Sequence, residues 1–443
     1  MTAGAFFVSR INHPGVLRSN SPDAVRIGPR PDSTRQNEET KTMKIAELQK
    51  RENYDAELQH TIDSIIRIDR EFYGDDIDDS KTIQWYCHPV FSVYVSKQFC
   101  KTGRQFLSNL YRYSPDRIKR YIQPVITTIL SNAFVFEKSL KPAFVTPDLT
   151  DSDNVMWMPG NCRFRKFDFL KRTVRIYPKS GFSDESIHRE LCFRTKIDGA
   201  NFAHDWLLPI HKYDDSANAV KTFEEPIIDA IPINRIPGYR NNDDYIRAIE
   251  KILEQLHQFE EYEDIGQGKA QKSMTASDYI TWKQNQFHYY SDVLHERFPG
   301  ISLANVTLRM SKAFDVVSSA KTIETAWTHG DFQPGNILIS QNGQNDIFIA
   351  DWEDVGIRAG IYDAMTYNLE SRTRPDVYKR LQLFADDPSS FPLKVDCSPT
   401  LAAALWEIEE WIWLLESSAR KGIIQIPLGL CRRFREIADI IRA

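Results

Sequence analysis

Apolar residues first recur at helical spacing near the start of the chain. Leu58, Ile62, Ile65 and Ile66 share one face, which predicts an amphipathic helix over residues 44–73. Gly74 and the acidic run GDDIDDS end it. Residues 84–138 carry denser aromatic and aliphatic material, including WYCHPVFSVYV, and read as mainly helical. Ser114-Pro115-Asp116 marks a helix start, with proline in the first turn. Residues 44–145 are therefore expected to form a helical N-terminal extension.

After Pro142 the texture changes. VMWMPGNCRFRKFDF and KRTVRIYP have strand character and are broken by short polar turns, among them Pro159-Gly160-Asn161. Ser183-Asp184-Glu185 opens a helix, ESIHRELCFRTKI, and WLLPIHKY and AVKTFEEPI follow as further strands. Strands around one helix over residues 146–228 predict a small α+β lobe. From residue 229 to 443 the pattern is mostly helical. Ile246, Ile249, Leu253 and Leu256 line one helix, 276–298 form another, and LWEIEEWIWLLESS lies in a last one. Two short strands, in THGDFQPGNILIS and NDIFIADWED, interrupt this helical half.

Composition narrows the function classes. The chain has 443 residues and a formal net charge of -5, without the basic field of a nucleic-acid binder. Cys87, Cys100, Cys162, Cys192, Cys397 and Cys431 are scattered, with no metal-binding spacing, and read as reduced thiols. That fits a cytoplasmic protein, and no apolar run is long enough for a membrane span. Residues 1–43, rich in Pro, Arg, Ser, Asn and Thr, are expected to be a disordered tail. Residues 1–42 hold no acid before Asp23, so an organellar transit peptide is the alternative, as is a start at Met43.

The candidate chemistry lies in His329-Gly330-Asp331, Asn336 and Asp351. Phosphoryl transfer needs a carboxylate to take the acceptor proton, an amide from the same loop to hold metal, and a second carboxylate to hold metal against the phosphates. Asp331 and Asn336 stand at the two ends of one tight loop ordered by Pro334-Gly335. Asp351 follows the alternating strand Ile347-Phe348-Ile349.

HGDFQPGNILI with IADWED resembles the aminoglycoside phosphotransferase and choline kinase family, over about residues 146–420. The resemblance implies an α+β, bilobal protein-kinase-like fold, with a small antiparallel-sheet N-lobe and a mainly helical C-lobe. It implies ATP and Mg²⁺ as cofactors and a small-molecule hydroxyl as acceptor, on an amino alcohol, an aminoglycoside-like compound or a sugar. Asp331 would be the base, His329 a support for its loop, Asn336 and Asp351 the metal ligands, and Asp363 a brace from the next helix. In Val174-Arg175-Ile176-Tyr177 the alternation puts Val174 and Ile176 toward a core and Arg175 and Tyr177 the other way. This V-R-x-Y strand resembles choline kinases, so Arg175 would face the cleft and grip phosphate, with Glu190 as its ion-pair partner. Lys179 is a rival for Arg175, and Glu185 for Glu190. Gly160 and Asn161 would give the phosphate-covering hairpin, and Glu224, Glu225 and Pro226 the hinge.

The covering loop has one glycine where the family has several, which supports an alternative: a catalytically inactive binding or scaffold protein. For the acceptor, Trp352, Glu353, Trp406 and Glu410 are candidates, by analogy with the aromatic and acidic cradle of choline kinases. Trp411 and Trp413 lie on the same helix, where an aromatic stripe more often packs a core. The N-terminal helical region offers a surface for a protein partner.

Overall fold

The computed structural model describes residues 54–112, 119–160, 163–180, 182–200, 205–214, 221–259, 272–299, 301–341, 346–372, 374 and 376–420. The expected tail of residues 1–43, Asn161, Cys162 and Cys431 lie outside them. The four described cysteines are unpaired.

The chain enters as helix α1 (Tyr54–Ile68), which runs into a π turn (Asp69–Tyr73) and stops at Gly74. Strands β1 (Ile77–His88) and β2 (Val93–Val95) follow. Next come helices α2 (Lys101–Arg112), α3 (Lys119–Ser131) and α4 (Ala133–Ser139), then strands β3 (Lys141–Leu149), β4 (Val155–Pro159), β5 (Arg163–Asp168) and β6 (Thr173–Pro178). Helix α5 (Glu185–Asp198) and strands β7 (Lys212–Tyr213) and β8 (Phe223–Pro226) complete the first lobe. Its strands make one eight-stranded sheet, in the order β3-β1-β2-β4-β5-β6-β8-β7, and all its pairs are antiparallel.

Helices do hold most of the described part of residues 44–145, but the expectation of a helical extension separate from the sheet is corrected. Three strands of the sheet come from this stretch, and the expected boundary at residue 145 falls inside β3. The reason is visible in β1. Trp85 and Cys87 are buried while Gln84 and Tyr86 are less so, a period of two that the density of apolar residues hides. Val93-Tyr94-Val95 adds β-branched and aromatic residues that favour a pleated surface.

Both faces of the sheet are covered. On one, Leu58, Ile62, Ile65 and Ile66 of α1 pack on Trp85, Trp157, Phe164 and Tyr177. On the other, Val95, Met156, Phe167, Val174 and Ile176 meet Leu107 and Leu110 of α2, Phe136 of α4, and Ile187 and Leu191 of α5. The alternation along β5 and β6 is therefore fixed: residues 163, 165, 167, 174 and 176 share one face, and 164, 166, 175 and 177 the other.

The chain leaves the sheet after Pro226. Strand β9 (Ala230–Pro232) joins the second lobe, followed by α6 (Asp243–Gln258), β10 (Ser273–Thr275), α7 (Ala276–Arg297), α8 (Ala304–Val317) and β11 (Thr322–Thr328). Strands β12 (Ile337–Ser340), β13 (Ile347–Ile349) and β14 (Gly356–Ala359) and helices α9 (Tyr362–Leu369), α10 (Val377–Asp386) and α11 (Pro399–Arg420) end the described chain. Helices α7 to α11 pack around Trp406, Trp411, Met365 and Leu294. Two three-stranded sheets, β10-β11-β14 and β13-β12-β9, hold the loops between them at the lobe interface. The molecule is thus a two-lobed α+β fold. No described helix is long and apolar enough to cross a membrane.

Candidate active site

The loop from His329 to Asn336 joins β11 to β12 and is fastened from below. Asp363, in the first turn of α9, accepts the His329 N–H at 2.6 Å and the Gly330 N–H at 3.1 Å. Gly330 has φ +82°, and a Cβ there would fall 2.1 Å from the Asp354 carbonyl oxygen, so only glycine fits. His329 is fully buried. Burial pushes its pKa down, and its Nδ1 accepts the Asp331 N–H at 3.2 Å while its Nε2 donates to the Ala350 carbonyl at 3.0 Å. A neutral imidazole thus ties the loop to the strand that ends at Asp351.

Asp331 is oriented through both carboxylate oxygens. Gln333 Nε2 and Asn336 Nδ2 donate to Oδ2 at 2.8 and 3.1 Å, and Arg372 Nε donates to Oδ1 at 2.9 Å. Burial pushes this carboxyl up to about 6, against the pull of Arg372. A base whose pKa lies near the working pH is suited to taking a proton in the transition state.

Between the lobes lies a narrow cleft whose lining includes Arg163, Arg165, Glu190 and Asp351 with the apolar Val174, Ile176, Phe223 and Leu338. Its rear is apolar and its mouth charged. Two cations stand at the mouth, both from β5. Arg165 Nη2 is 2.9 Å from Asp351 Oδ1. Arg163 pairs with Glu190 through Nη1 and approaches Glu353 at 3.4 Å through Nε. Glu190 also takes Arg194 at 3.0 Å. Burial alone would raise the Glu190 pKa, and the two guanidinium groups lower it further than burial raises it.

The expected pairing of Arg175 with Glu190 is therefore corrected. Arg175 lies on the opposite face of the sheet, bound to Asp69 at 3.0 Å, Asp75 at 2.6 Å and Glu224 at 2.7 Å. Neither Arg175 nor Lys179 lines the cleft. The expectation put Val174 and Ile176 toward a core and Arg175 toward the cleft. In the structure Val174 and Ile176 do face a core, but that same face borders the cleft, and Arg175 lies on the other face beneath α1. In a strand of period two, a cleft on the other face exchanges every side chain that can line it.

The hairpin over the charged mouth begins at Gly160, whose N–H bonds the Arg163 carbonyl at 2.8 Å. A Cβ on Gly160 would come 3.0 Å from Arg165 Nη1, so the bare backbone lets the turn sit against that guanidinium. Asn161 lies outside the described residues. Of the hinge candidates, Glu225 and Pro226 line the cleft, and the Glu224 side chain is engaged by Arg175.

The donor set at the mouth suits a hard divalent cation. Asn336 is buried, and its Nδ2 is turned toward Asp331. Its Oδ1 is buried with no hydrogen-bond partner, an orphan that a metal would satisfy. Asp351, held at φ +71°, presents its carboxylate where β13 ends. Among the described residues no three His, Cys, Asp or Glu side chains converge on one point. Mg²⁺ characteristically takes one or two protein ligands and completes its shell with water and phosphate oxygens, which fits this sparse set.

On the acceptor side two expectations are corrected. Trp352 is buried against Phe193, Trp206 and His329, with its N–H on the Ile349 carbonyl. Trp406 is fully buried and donates to Thr366 Oγ1 at 3.3 Å. Both fill the core under the loop, because their helical and turn positions point inward. Trp411 is fully buried as well. Glu353 stands beside Arg163 at the cleft instead. Glu410 and Trp413 do reach the region, through a residue the sequence reading missed. Arg372 bonds Asp331 and Glu410, donates to the Gly330 carbonyl at 3.2 Å and to Tyr362 Oη at 2.9 Å, and lies 3.6 Å over the Trp413 ring. No motif carries Arg372. Arg163 and Arg165 could have been found from their alternation with Phe164 and Lys166, once α1 was assigned to one face.

No family model matches the chain, and no curated protein matches it. Solved structures of similar arrangement include an aminoglycoside 2'-phosphotransferase-IIIa in complex with GDP, at 15% identity and TM-score 0.42, covering 64% of this chain and 91% of that one. The choline kinase LicA from Streptococcus pneumoniae matches at 13% identity and TM-score 0.39, covering 66% and 91%. A Plasmodium vivax ethanolamine kinase matches at 14% identity and TM-score 0.40, covering 77% and 95%. These are likenesses of chain arrangement.

Proposed function

We propose that the protein is an ATP- and Mg²⁺-dependent phosphotransferase acting on a hydroxyl of a small polar metabolite. The observation that carries this reading is that Asn336, its Oδ1 orphaned, is bonded to Asp331 through its amide nitrogen and to Ala350 through its carbonyl, which sets both beside Asp351 on the cleft wall. The apolar wall of Val174, Ile176, Phe223 and Leu338 suits a purine ring, with backbone groups near Glu225 and Pro226 for its edge. Arg163 and Arg165 can exchange their carboxylate partners for phosphate oxygens, which a planar guanidinium grips in pairs.

The acceptor oxygen attacks the γ-phosphorus, its proton passes to Asp331 Oδ1, and the bond to the β-phosphate oxygen breaks to release ADP. Gln333 and Asn336 fix the unused oxygen of Asp331, so the other is aimed before the acceptor arrives. Magnesium held by Asp351 and Asn336 would neutralise charge on the β- and γ-phosphates. His329 and Asp363 touch no reactant and act by holding the loop.

The test is ATP turnover over a panel of hydroxylated metabolites with Mg²⁺, in the wild type and in Asp331→Asn. Turnover by the wild type alone supports the reading. Equal turnover by both places the base elsewhere. A second reading, a binding protein without chemistry, draws on the Arg165–Asp351 pair, in which a fixed cation stands where metal would act. It predicts nucleotide binding that is indifferent to Mg²⁺ and no turnover on any acceptor.

A further inference from the structure

A carboxylate beside an indole face is the chemistry that captures an ammonium group. Glu410 and Trp413 make such a pair next to Asp331, and the place between them is taken by the chain itself. The Arg372 guanidinium lies 3.6 Å from the Trp413 ring centre and is ion-paired to Glu410 and to Asp331. Its remaining contacts are the Gly330 carbonyl at 3.2 Å and Tyr362 Oη at 2.9 Å. Arginine has five N–H donors, and most are engaged here, so the group is held rather than waiting for a ligand.

We infer that Arg372 is a specificity-determining residue that fills the cation site beside Asp331 and restricts the acceptor to alcohols with no positive charge next to the reacting hydroxyl. The inference rests on the phosphotransferase reading and chooses among the acceptor classes it allows. An ammonium acceptor would have two ways in, and both are unfavourable. Joining Arg372 would bring two cations together in a buried site, where like charges repel far more strongly than in water. Displacing Arg372 would cost the contacts above and take the Arg372 cation from Glu410, only 1% exposed, which would keep the Tyr362 hydroxyl that donates to it at 3.0 Å. A neutral hydroxyl meets neither obstacle. The Asp331 Oδ1 carboxylate oxygen can accept it alongside the Arg372 N–H, since each such oxygen takes more than one hydrogen bond.

The experiment measures binding and turnover separately, on the full chain. Tetramethylammonium and methylguanidinium are titrated calorimetrically into the wild type, Arg372→Ala and Arg372→Ala/Trp413→Ala. The same proteins are assayed for ATP turnover with choline, ethanolamine, and neutral polyols and hexoses. The expected result is no saturable cation binding by the wild type at millimolar concentration. Arg372→Ala should bind at least roughly tenfold more tightly, and adding Trp413→Ala should abolish the gain. Methylguanidinium should raise the melting temperature of Arg372→Ala and not that of the wild type. Wild-type turnover should favour the neutral alcohols. Cation binding by the wild type equal to that of Arg372→Ala, no binding by Arg372→Ala, or wild-type preference for choline would each overturn the inference. If Arg372→Ala does not fold, Arg372→Gln is read in the same way, and if neither folds, the wild-type acceptor preference decides. A protein that turns over no acceptor but shows the expected cation binding would sink the phosphotransferase reading and leave the occupied cation site standing.

Discussion

Strands β5 and β6 carry cations on both faces, and the two faces put them to different use. On the cleft face, Arg163 and Arg165 reach acids from other elements, Glu190 on α5 and Asp351 after β13. On the far face, Lys166 and Arg175 close on Asp69 and Asp75, beside the π turn that follows α1, and Tyr177 adds a hydrogen bond to Asp69. The far network is sealed beneath α1, and Asp69 is completely buried. The cleft pairs are as deeply buried, and what distinguishes them is that all four side chains line the space between the lobes. Adjacent residues such as Arg165 and Lys166 therefore belong to different systems. Charge alone does not tell a binding cation from a structural one. What separates them is which face borders the space between the lobes.

The largest expected effect lies on the far face. Asp69→Ala leaves Lys166 and Arg175 short of a buried partner and should cost about 3–5 kcal/mol of stability in denaturant titration. The nucleotide affinity of the folded fraction should be unchanged. A weakened nucleotide affinity in that fraction would end the contrast between the faces.

Next in size is the loss of chemistry at the cleft. Asp331→Asn should lower kcat by a factor on the order of a hundred or more while nucleotide still binds. Asp351→Asn should lose turnover to the same degree and metal-dependent nucleotide binding as well, because a hard anionic ligand is gone. Identical binding by the two variants would remove the separate roles given to these acids.

A smaller effect sharpens the assignment of the cations. Arg165→Ala should weaken nucleotide binding by about tenfold or more, the scale of one charge-assisted hydrogen bond. Arg175→Ala should destabilise the fold and leave that affinity alone. The reverse outcome in isothermal titration would restore Arg175 to the phosphate site.

The smallest effect separates regions of the first lobe by acid. His88 is fully buried beside Phe91 and Phe136, and burial lowers its pKa to about 4. The unfolded chain then binds the proton first, at a pKa of about 6.5, so stability falls as pH drops from there toward 4. By pH 5.5 the loss is about 1 kcal/mol. Asp75 is shifted the other way: burial would raise its pKa, but Arg175 and Lys166 hold it below the usual carboxylate range. Its contribution is lost only as pH falls below the ordinary aspartate value. His88→Gln should flatten stability between pH 7 and 5 and leave the steeper loss at lower pH. A variant with unchanged acid sensitivity across the upper window would show that another group titrates there.

The loop proposed to carry the chemistry was legible because its residues are close in sequence. His329, Asp331, Asn336 and Asp351 lie within one strand-loop-hairpin unit, so spacing alone brings them to one place. Asp363 could be placed because it opens the next helix. The cations were not legible in the same way. Choosing between Arg163 and Arg175 requires knowing which side of the sheet α1 covers, and α1 lies about a hundred residues upstream in the same numbering. Arg372 reaches Asp331 across 41 residues by a route set by helix packing. The three strands before β4 were missed because a dense apolar stretch satisfies helical and strand patterns alike. The tryptophans of the last helix divide between core and site by a rotation that spacing does not resolve: Trp406 and Trp411 turn inward, and Trp413 meets Arg372.

The order of the eight-stranded sheet has a consequence in time. Apart from β3, which pairs back onto β1, and the late pair β8-β7, spatial order follows chain order, so each strand finds its neighbour soon after it leaves the ribosome. The lobe can close once Pro226 has emerged, well before Asp331 exists. At about 5–20 residues per second, that interval is on the order of ten seconds. During it Arg163 already has Glu190, but Arg165 must wait for Asp351. The growing chain therefore displays the Arg165 cation of a half-built cleft to solvent, and the arrival of Asp351 after β13 is what pairs that charge.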